Sequence, residues 1–227
     1  VIWATGWRPY DAGRIEAYGY GRLANVITNV EMERLAAPEG PTQGRILRPS
    51  DGAEARRVAL IQCAGSRDLN HLPYCSRICC MASFKHAAYV RQQHAEASVD
   101  IYYIDIRADN KLEAFYRRVA IDPQIRLIKS KPGAIEQDTD KNPIVKGEDT
   151  LSRELYGNTY DLVVLAVGMQ PNAALEAPAL ELSQDDYGFI VPDLAAGQIV
   201  AGVAAGPLDV SMSVQSATAA ALRAIQA

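Results

Sequence analysis

Two apolar runs with nearly the same ending stand far apart in the chain. Val1–Gly6 (VIWATG) is apolar up to Ala4-Thr5-Gly6 and turns at Trp7-Arg8-Pro9. Tyr160–Gly168 (YDLVVLAVG) repeats the design, with a β-branched strand, Ala166-Val167-Gly168 and then Gln170-Pro171-Asn172. The copies lie about 160 residues apart, and such an echo says more than either copy alone. Val1-Ile2-Trp3-Ala4 already reads as the end of a buried strand, which needs neighbours to pair with, so the expectation is the C-terminal portion of a longer protein.

Between the echoes the pattern alternates strand and helix. Leu23–Leu35 predicts a short strand and a helix with Asn29 as N-cap, and Pro38–Gly52, rich in Gly and Pro, predicts a linker. Arg57–Gln62 is a continuous apolar strand of the kind buried on both faces of a parallel sheet. Cys79–Ala95 predicts a helix and Val99–Ile106 the next strand, which together make a right-handed βαβ unit. Lys111–Val119 predicts a helix with Leu112, Phe115, Tyr116 and Val119 on one face. Strands are expected at Ile125–Lys129, Gly133–Gln137, Pro143–Lys146 and Leu155–Leu165, with a hairpin turn at Asp138–Lys141. Pro171–Asp186 reads as an irregular connection, and Gly188–Pro192 and Gln198–Ala201 as short strands. Pro207–Ala227 reads as a helix capped by Ser211 or Ser213, burying Val214, Ala217, Ala221, Leu222 and Ile225. The fold class is α/β: a Rossmann-like parallel sheet with flanking helices.

Composition narrows the function. The 227 residues are 48% apolar, with a formal net charge of −4 and dispersed basic residues, which argues against a nucleic-acid partner. No apolar run approaches the roughly 20 residues of a membrane helix, so membrane insertion is not expected and the cytoplasm is the default location.

All four cysteines, Cys63, Cys75, Cys79 and Cys80, fall between an apolar strand and a helix. Clustered thiols without disulfide-framework spacing point to metal or redox chemistry in a reducing compartment. Cys63 ends the strand, Cys75 lies in a loop, and Cys79 and Cys80 open the helix, where backbone amides can hydrogen-bond cluster sulfides. Four thiolates suit one iron–sulfur cluster. A structural zinc site normally carries Cys-x-x-Cys knuckles, which are missing, and buried inert thiols are the third reading. After Leu60-Ile61 the glycine fingerprint of a dinucleotide site is replaced by Gln62-Cys63-Ala64-Gly65-Ser66, so direct NAD(P)H use is not expected. Asp105, Arg107 and Asp109, where a ribose is often read, are then ordinary surface residues, and His86 and His94 are expected on the helix surface.

The two Ala-x-Gly-type echoes, with CAGSRD, YCSRICC and Lys85-His86-Ala87, resemble the family of heterodisulfide reductase A subunits, within the thioredoxin-reductase-like flavoproteins with two dinucleotide-binding domains. The resemblance covers essentially the whole chain. It implies residues 1–10 as the end of the first part of an FAD domain, 11–171 as an inserted NAD(P)-domain-like unit carrying the cysteines, and 172–227 as the C-terminal part of the FAD domain. The half with the flavin's ADP-binding fingerprint would lie upstream. It implies a [4Fe-4S] cluster on Cys63, Cys75, Cys79 and Cys80, and FAD in the complete protein. Residues implied at the flavin are Ala4, Thr5, Gly6, Trp7, Gly168, Gly202, Val203, Pro207, Asp209 and Ser213. Val203 stands where the simpler reductases place an acidic residue, which leaves backbone contacts there. Read alone, Ala201–Asp209 is a glycine turn feeding a helix. Lys85 is implied as a cation tuning the flavin or cluster; read alone, it is a solvated helix residue.

The expected function is that of a flavo-iron–sulfur subunit for electron transfer, an oxidoreductase relaying electrons between FAD and the cluster in disulfide or sulfur metabolism. Its partners would be other subunits of the complex, with a homodimer also open. The absence of ferredoxin-like cysteine runs points to the shorter form found in sulfur-oxidising bacteria. The alternatives are a zinc-stapled or apo partner-docking module and an NAD(P)H-dependent disulfide reductase.

Overall fold

Residues 1–109, 111–175 and 181–226 of the chain are described by a computed structural model. Positions 176–180 of the expected Pro171–Asp186 connection and the last residue of the expected C-terminal helix lie outside the described residues. The chain divides into two units, one of Val1–Tyr10, Tyr74–Ile78 and Gly168–Ala227, the other of Asp11–Pro73 and Cys79–Val167.

The first unit begins with β1 (Ile2–Trp3) and β2 (Trp7–Pro9). The second unit then runs through β3 (Val26–Thr28), α1 (Asn29–Ala36), β4 (Arg57–Ala64), α2 (Cys79–Gln93), β5 (Ser98–Tyr103), α3 (Leu112–Ala120), β6 (Ile125–Lys129), β7 (Ala134–Gln137), β8 (Pro143–Glu148), β9 (Leu155–Thr159) and β10 (Leu162–Val167). The first unit is completed by β11 (Met169–Pro171), β12 (Ile199–Val200) and α4 (Val210–Gln226).

The second unit is built on a five-stranded parallel sheet in the order β3-β10-β4-β5-β6. Its central strands β10 and β4 are buried on both faces because both are covered. Val58, Leu60, Val99, Ile101, Leu162 and Val164 meet Met32 of α1 and Phe84, Ala87 and Val90 of α2. Full burial of one side chain such as Phe84 contributes about 1.5–3 kcal/mol. On the opposite face Tyr102 of β5 meets Tyr156 of β9, part of an antiparallel β7-β8-β9 sheet, with ring centroids 5.3 Å apart.

Several local expectations are corrected. Thr28, not Asn29, caps α1: its hydroxyl accepts from the Glu31 N–H while Glu31 accepts from the Thr28 N–H, a capping box. Pro38–Gly52 is more than a linker, since Ile46 is buried in the core cluster. The expected strand Leu155–Leu165 is two strands, because Asp161 leaves the ladder to accept from the backbone N–H groups of Arg56 and Arg57. Leu112 of α3 is exposed while Phe115, Tyr116 and Val119 pack inward. His86 is no surface residue: it is 1% exposed on the inner side of α2.

In the first unit β1 pairs parallel with β12 and β2 antiparallel with β11. The cap of α4 is Asp209, whose Oδ1 accepts from the Met212 N–H at 2.8 Å, not Ser211 or Ser213. The expected apolar face of α4 is not buried among the described residues. Val214 is 61%, Leu222 55% and Ile225 82% exposed, Ala217 and Ala221 are exposed as well, and Ala220 is the buried position. No described helix is long and apolar enough to cross a membrane.

Candidate functional site

In the second unit three of the four cysteines lie at the carboxyl end of the parallel sheet and the first turn of α2. Ligands of open α/β sheets gather at the carboxyl ends of the strands. Cys63 is buried with φ +56°, a left-handed conformation that costs a non-glycine residue about 1–2 kcal/mol. Beside it the register between β4 and β10 shifts between Leu165 and Val167, so β4 carries a bulge that re-aims its last side chains. The turn then closes with the Ser66 N–H donating to the Cys63 carbonyl at 3.2 Å.

Cys79 and Cys80 occupy the first two positions of α2 and are both buried. Their thiols diverge, as consecutive positions on a helix must. Cys79 Sγ lies 3.6 Å from the Val167 carbonyl, while Cys80 Sγ lies 3.4 Å from Gln62 Oε1 and 3.7 Å from the Asp105 carbonyl. Gln62 is 2% exposed, and its Nε2 has no hydrogen-bond partner among the described residues. A buried amide left unpaired costs about 1–3 kcal/mol, so this position calls for an acceptor.

Cys75 belongs to the first unit. Its sulfur accepts from the Arg77 backbone N–H at 3.4 Å. Tyr74 anchors the segment by donating from its hydroxyl to the Met169 carbonyl at 2.8 Å and packing edge-on against Phe189. Burial, with the Asp185 charge second, pushes the Tyr74 phenol up to about 12, so it remains a donor across the physiological range. None of the four cysteines is joined in a disulfide. Among the described residues, no three His, Cys, Asp or Glu side chains are gathered as a metal would require. Within the second unit the donors suit a cluster in kind: soft thiols, a helix N-terminus and a buried amide beside one of the sulfurs.

The residues implied at the flavin all lie in the first unit. Gly6 and Gly202 have φ of +69° and +63°, conformations suited to glycine at close-approach turns. Ala4-Thr5-Gly6 is held by Asn172, whose Nδ2 donates to the Thr5 carbonyl at 2.7 Å and whose Oδ1 accepts from Arg8 Nε at 3.1 Å. Gly202 donates its N–H to Ser216 Oγ at 3.0 Å, which sets the turn against α4, and its α-carbon side faces Ser213. Val203 is buried, packed with Met169, Phe189, Trp7 and Leu208. Gly168 accepts at its carbonyl from the Tyr10 N–H at 2.8 Å. Pro207 precedes Asp209, the α4 cap. Among the described residues, Trp3 Nε1 and Thr5 Oγ1 are buried here without a partner, and the Thr5 hydroxyl fits a polar ligand at this turn. Asn172 and Ser216, which hold these two turns, are residues that sequence reasoning misses. The Pro171-Asn172 that ends the second echo is the available signal.

Lys85 lies on α2 with Nζ 2.6 Å from Glu33 Oε1 and over the Tyr89 ring at 5.7 Å. Asp105 is paired with Arg67 at 2.6 Å and Arg107 at 3.5 Å. His94 Nε2 lies 3.6 Å from Glu54.

No family model matches the chain. It is 42% identical over 241 residues to the second of the iron-sulfur A subunits of CoB–CoM heterodisulfide reductase in Methanopyrus kandleri, covering 100% of this chain and 37% of that protein. It is 43% identical over 235 residues to the corresponding iron-sulfur A subunit of Methanocaldococcus jannaschii, covering 97% and 36%. With the A subunit of the H(2):CoB-CoM heterodisulfide,ferredoxin reductase of Methanothermobacter marburgensis the identity is 40% over 237 residues, covering 99% and 36%. The chain thus spans about a third of the length of these relatives. Among solved structures, thioredoxin reductases of T. acidophilum and Lactococcus lactis superpose with TM-scores of 0.59 and 0.60 at 18% identity. They are matched over 100% of this chain and over 64% and 66% of theirs. The fold is therefore thioredoxin-reductase-like.

Proposed function

We propose that this chain, a homologue of heterodisulfide reductase A subunits over the whole stretch it spans, is part of an electron-transfer flavo-iron–sulfur oxidoreductase. Cys63, Cys75, Cys79 and Cys80 would hold one [4Fe-4S] cluster, and Ala4–Trp7, Gly168, Gly202, Val203, Pro207, Asp209 and Ser213 would meet FAD. When bound, a flavin exchanges electrons in pairs and a cluster singly, which lets such a protein stand between two-electron and one-electron carriers.

The observation that carries this reading is the match along the whole chain, cysteine segment included, to relatives themselves named as iron-sulfur subunits. The chain's own residues support it. Gly6 and Gly202 adopt turns that a side chain would strain, Asn172 fixes the Thr5 carbonyl, and the Thr5 hydroxyl is unpaired among the described residues. The capped N-terminus of α4 favours negative charge at its end. Cys79 and Cys80 are shielded from water, and the replaced glycine loop leaves that end of the sheet to thiolates. Lys85 enters the proposal as a cation on α2, shared with Glu33. The protein would act in the cytoplasm with other subunits of a heterodisulfide-reductase-like complex, and its self-association is open to measurement.

The test is the composition of the full-length protein purified without oxygen. Flavin absorbance bands over a broad visible background, with at least four iron and four sulfide per chain, are expected. One tightly bound zinc without iron overturns the cluster, and a colourless, flavin-free full-length protein overturns the whole reading.

A further inference from the structure

Gln62 is buried at the end of β4, next to Cys63 in sequence and against Cys80 of α2 in space. One end of its amide, Oε1, lies 3.4 Å from Cys80 Sγ, an arrangement in which a protonated thiol donates to the carbonyl oxygen. The other end, Nε2, has two hydrogens and no acceptor. A strand buried on both faces favours apolar side chains; a primary amide here is justified only if both of its ends have work.

A cysteine that ligates a metal does so as a thiolate, and a thiolate accepts hydrogen bonds without donating them. The amide oxygen then becomes the wrong neighbour. The two ends of an amide have nearly the same shape, so a half-turn about the last side-chain bond exchanges them without moving the backbone. That turn brings the orphaned Nε2 onto the Cys80 sulfur and removes the electrostatic conflict with Oε1. The same side chain thus suits both states of the cysteine.

We infer that Gln62 is a positioning residue that donates a hydrogen bond from its amide Nε2 to the Cys80 sulfur when that cysteine ligates the cluster, and that this bond makes the cluster easier to reduce. The inference rests on the cluster reading above. Adding an electron raises the negative charge on the ligand sulfurs, and a donor aimed at one of them favours the reduced form, so the potential rises. The role falls to Gln62 because its amide nitrogen is a buried side-chain donor without a partner among the described residues, on the same amide whose oxygen already faces the Cys80 sulfur.

The experiment uses the full-length, cluster-loaded protein and its Gln62→Leu and Gln62→Glu variants. Iron and sulfide contents are measured first, then the midpoint potential by titration with EPR detection of the reduced cluster. A lower potential in Gln62→Leu and a still lower one in Gln62→Glu, where an acceptor-only group replaces the donor, are expected at unchanged iron content. A loaded Gln62→Leu protein with the wild-type potential overturns the inference and leaves the cluster reading standing. A wild-type protein without iron overturns both. Should the variants fail to load, the wild type carries the test: glutamine labelled with ¹⁵N at the side-chain amide should give a hyperfine coupling to the reduced cluster, and its absence overturns the assignment.

Discussion

His86 Nε2 lies 2.7 Å from Glu33 Oε1, and this contact joins the inner face of α2 to α1. Lys85 reaches the same oxygen from the helix surface at 2.6 Å. One carboxylate therefore collects a buried imidazole and an exposed ammonium from consecutive residues.

The bond to His86, followed by the Lys85 bond and against the effect of burial, pulls the Glu33 carboxyl from 4.5 down to about 2. A folded-state value below the unfolded one stabilises the fold above the unfolded value and is lost as pH falls through the folded one. Glu33→Gln should cost about 1 kcal/mol at neutral pH, a modest figure because the carboxylate is partly open to solvent. Thermal unfolding of both proteins should show this gap at pH 7 and its closure between pH 4.5 and 2. A gap that persists unchanged at pH 2 would contradict the assignment.

Beneath the sheet, Asp100 accepts from Arg126 Nε at 3.0 Å and Nη2 at 2.5 Å, and from the Tyr160 hydroxyl. Tyr160 also meets the Tyr102 hydroxyl at 2.7 Å, and burial pushes the Tyr102 phenol up to about 12. Asp100→Ala strips the acceptor from a buried hydroxyl and frees a guanidinium, and should cost about 2–4 kcal/mol. Arg126 is well exposed, so Arg126→Ala should cost less than Asp100→Ala. Urea unfolding of the two variants gives the order, and the reverse order would show that the guanidinium, not the hydroxyl network, dominates.

Asn172 bridges the Thr5 carbonyl and Arg8, so Asn172→Ala should loosen the Ala4-Thr5-Gly6 turn without touching the sheet of the second unit. On the proposed function, the full-length variant should lose FAD about 5–10-fold more readily, equivalent to about 1–1.4 kcal/mol. Flavin absorbance retained after extensive dialysis is the readout. Wild-type retention would remove Asn172 from the flavin site.

Much of this architecture is legible in the sequence because burial on both faces leaves a strong mark. The Arg57–Gln62 run lies in β4, which continues to Ala64, and the helix expected from Cys79 starts there in α2. What the pattern conceals are choices between chemically similar neighbours. Thr28 and Asn29 are both cap residues, and only the reciprocal bond of Glu31 decides for Thr28, a T-x-x-E signature that sits in the sequence. Asp161 breaks the expected strand Leu155–Leu165 into β9 and β10 through two backbone hydrogen bonds that no periodicity records. His86 looks like a surface residue because its partner, Glu33, is 53 positions away. The α4 stripe is amphipathic in sequence, yet periodicity names a face and not what covers it. Cys63 is legible as a thiol at a strand end, but its left-handed backbone is not, since nothing local demands it.

The cysteines permit a sharper separation of ligand loss from loss of fold. Cys79 Sγ faces the Val167 carbonyl and Cys80 Sγ faces Gln62, so a serine at either position is close in size and turns its hydroxyl toward the same polar groups. Serine is a poor ligand for iron in a thiolate-bound cluster. Stripped of iron, single Cys63→Ser, Cys75→Ser, Cys79→Ser and Cys80→Ser variants of the full-length protein should unfold within about 1 kcal/mol of iron-stripped wild type, while iron, sulfide and visible absorbance of the untreated variants fall in each. Inert thiols predict unchanged iron in all four variants. A zinc site predicts loss of zinc with no visible band at any stage. A variant that keeps its full iron and sulfide identifies a cysteine outside the ligand set, and the fourth ligand must then be sought beyond these four sulfurs.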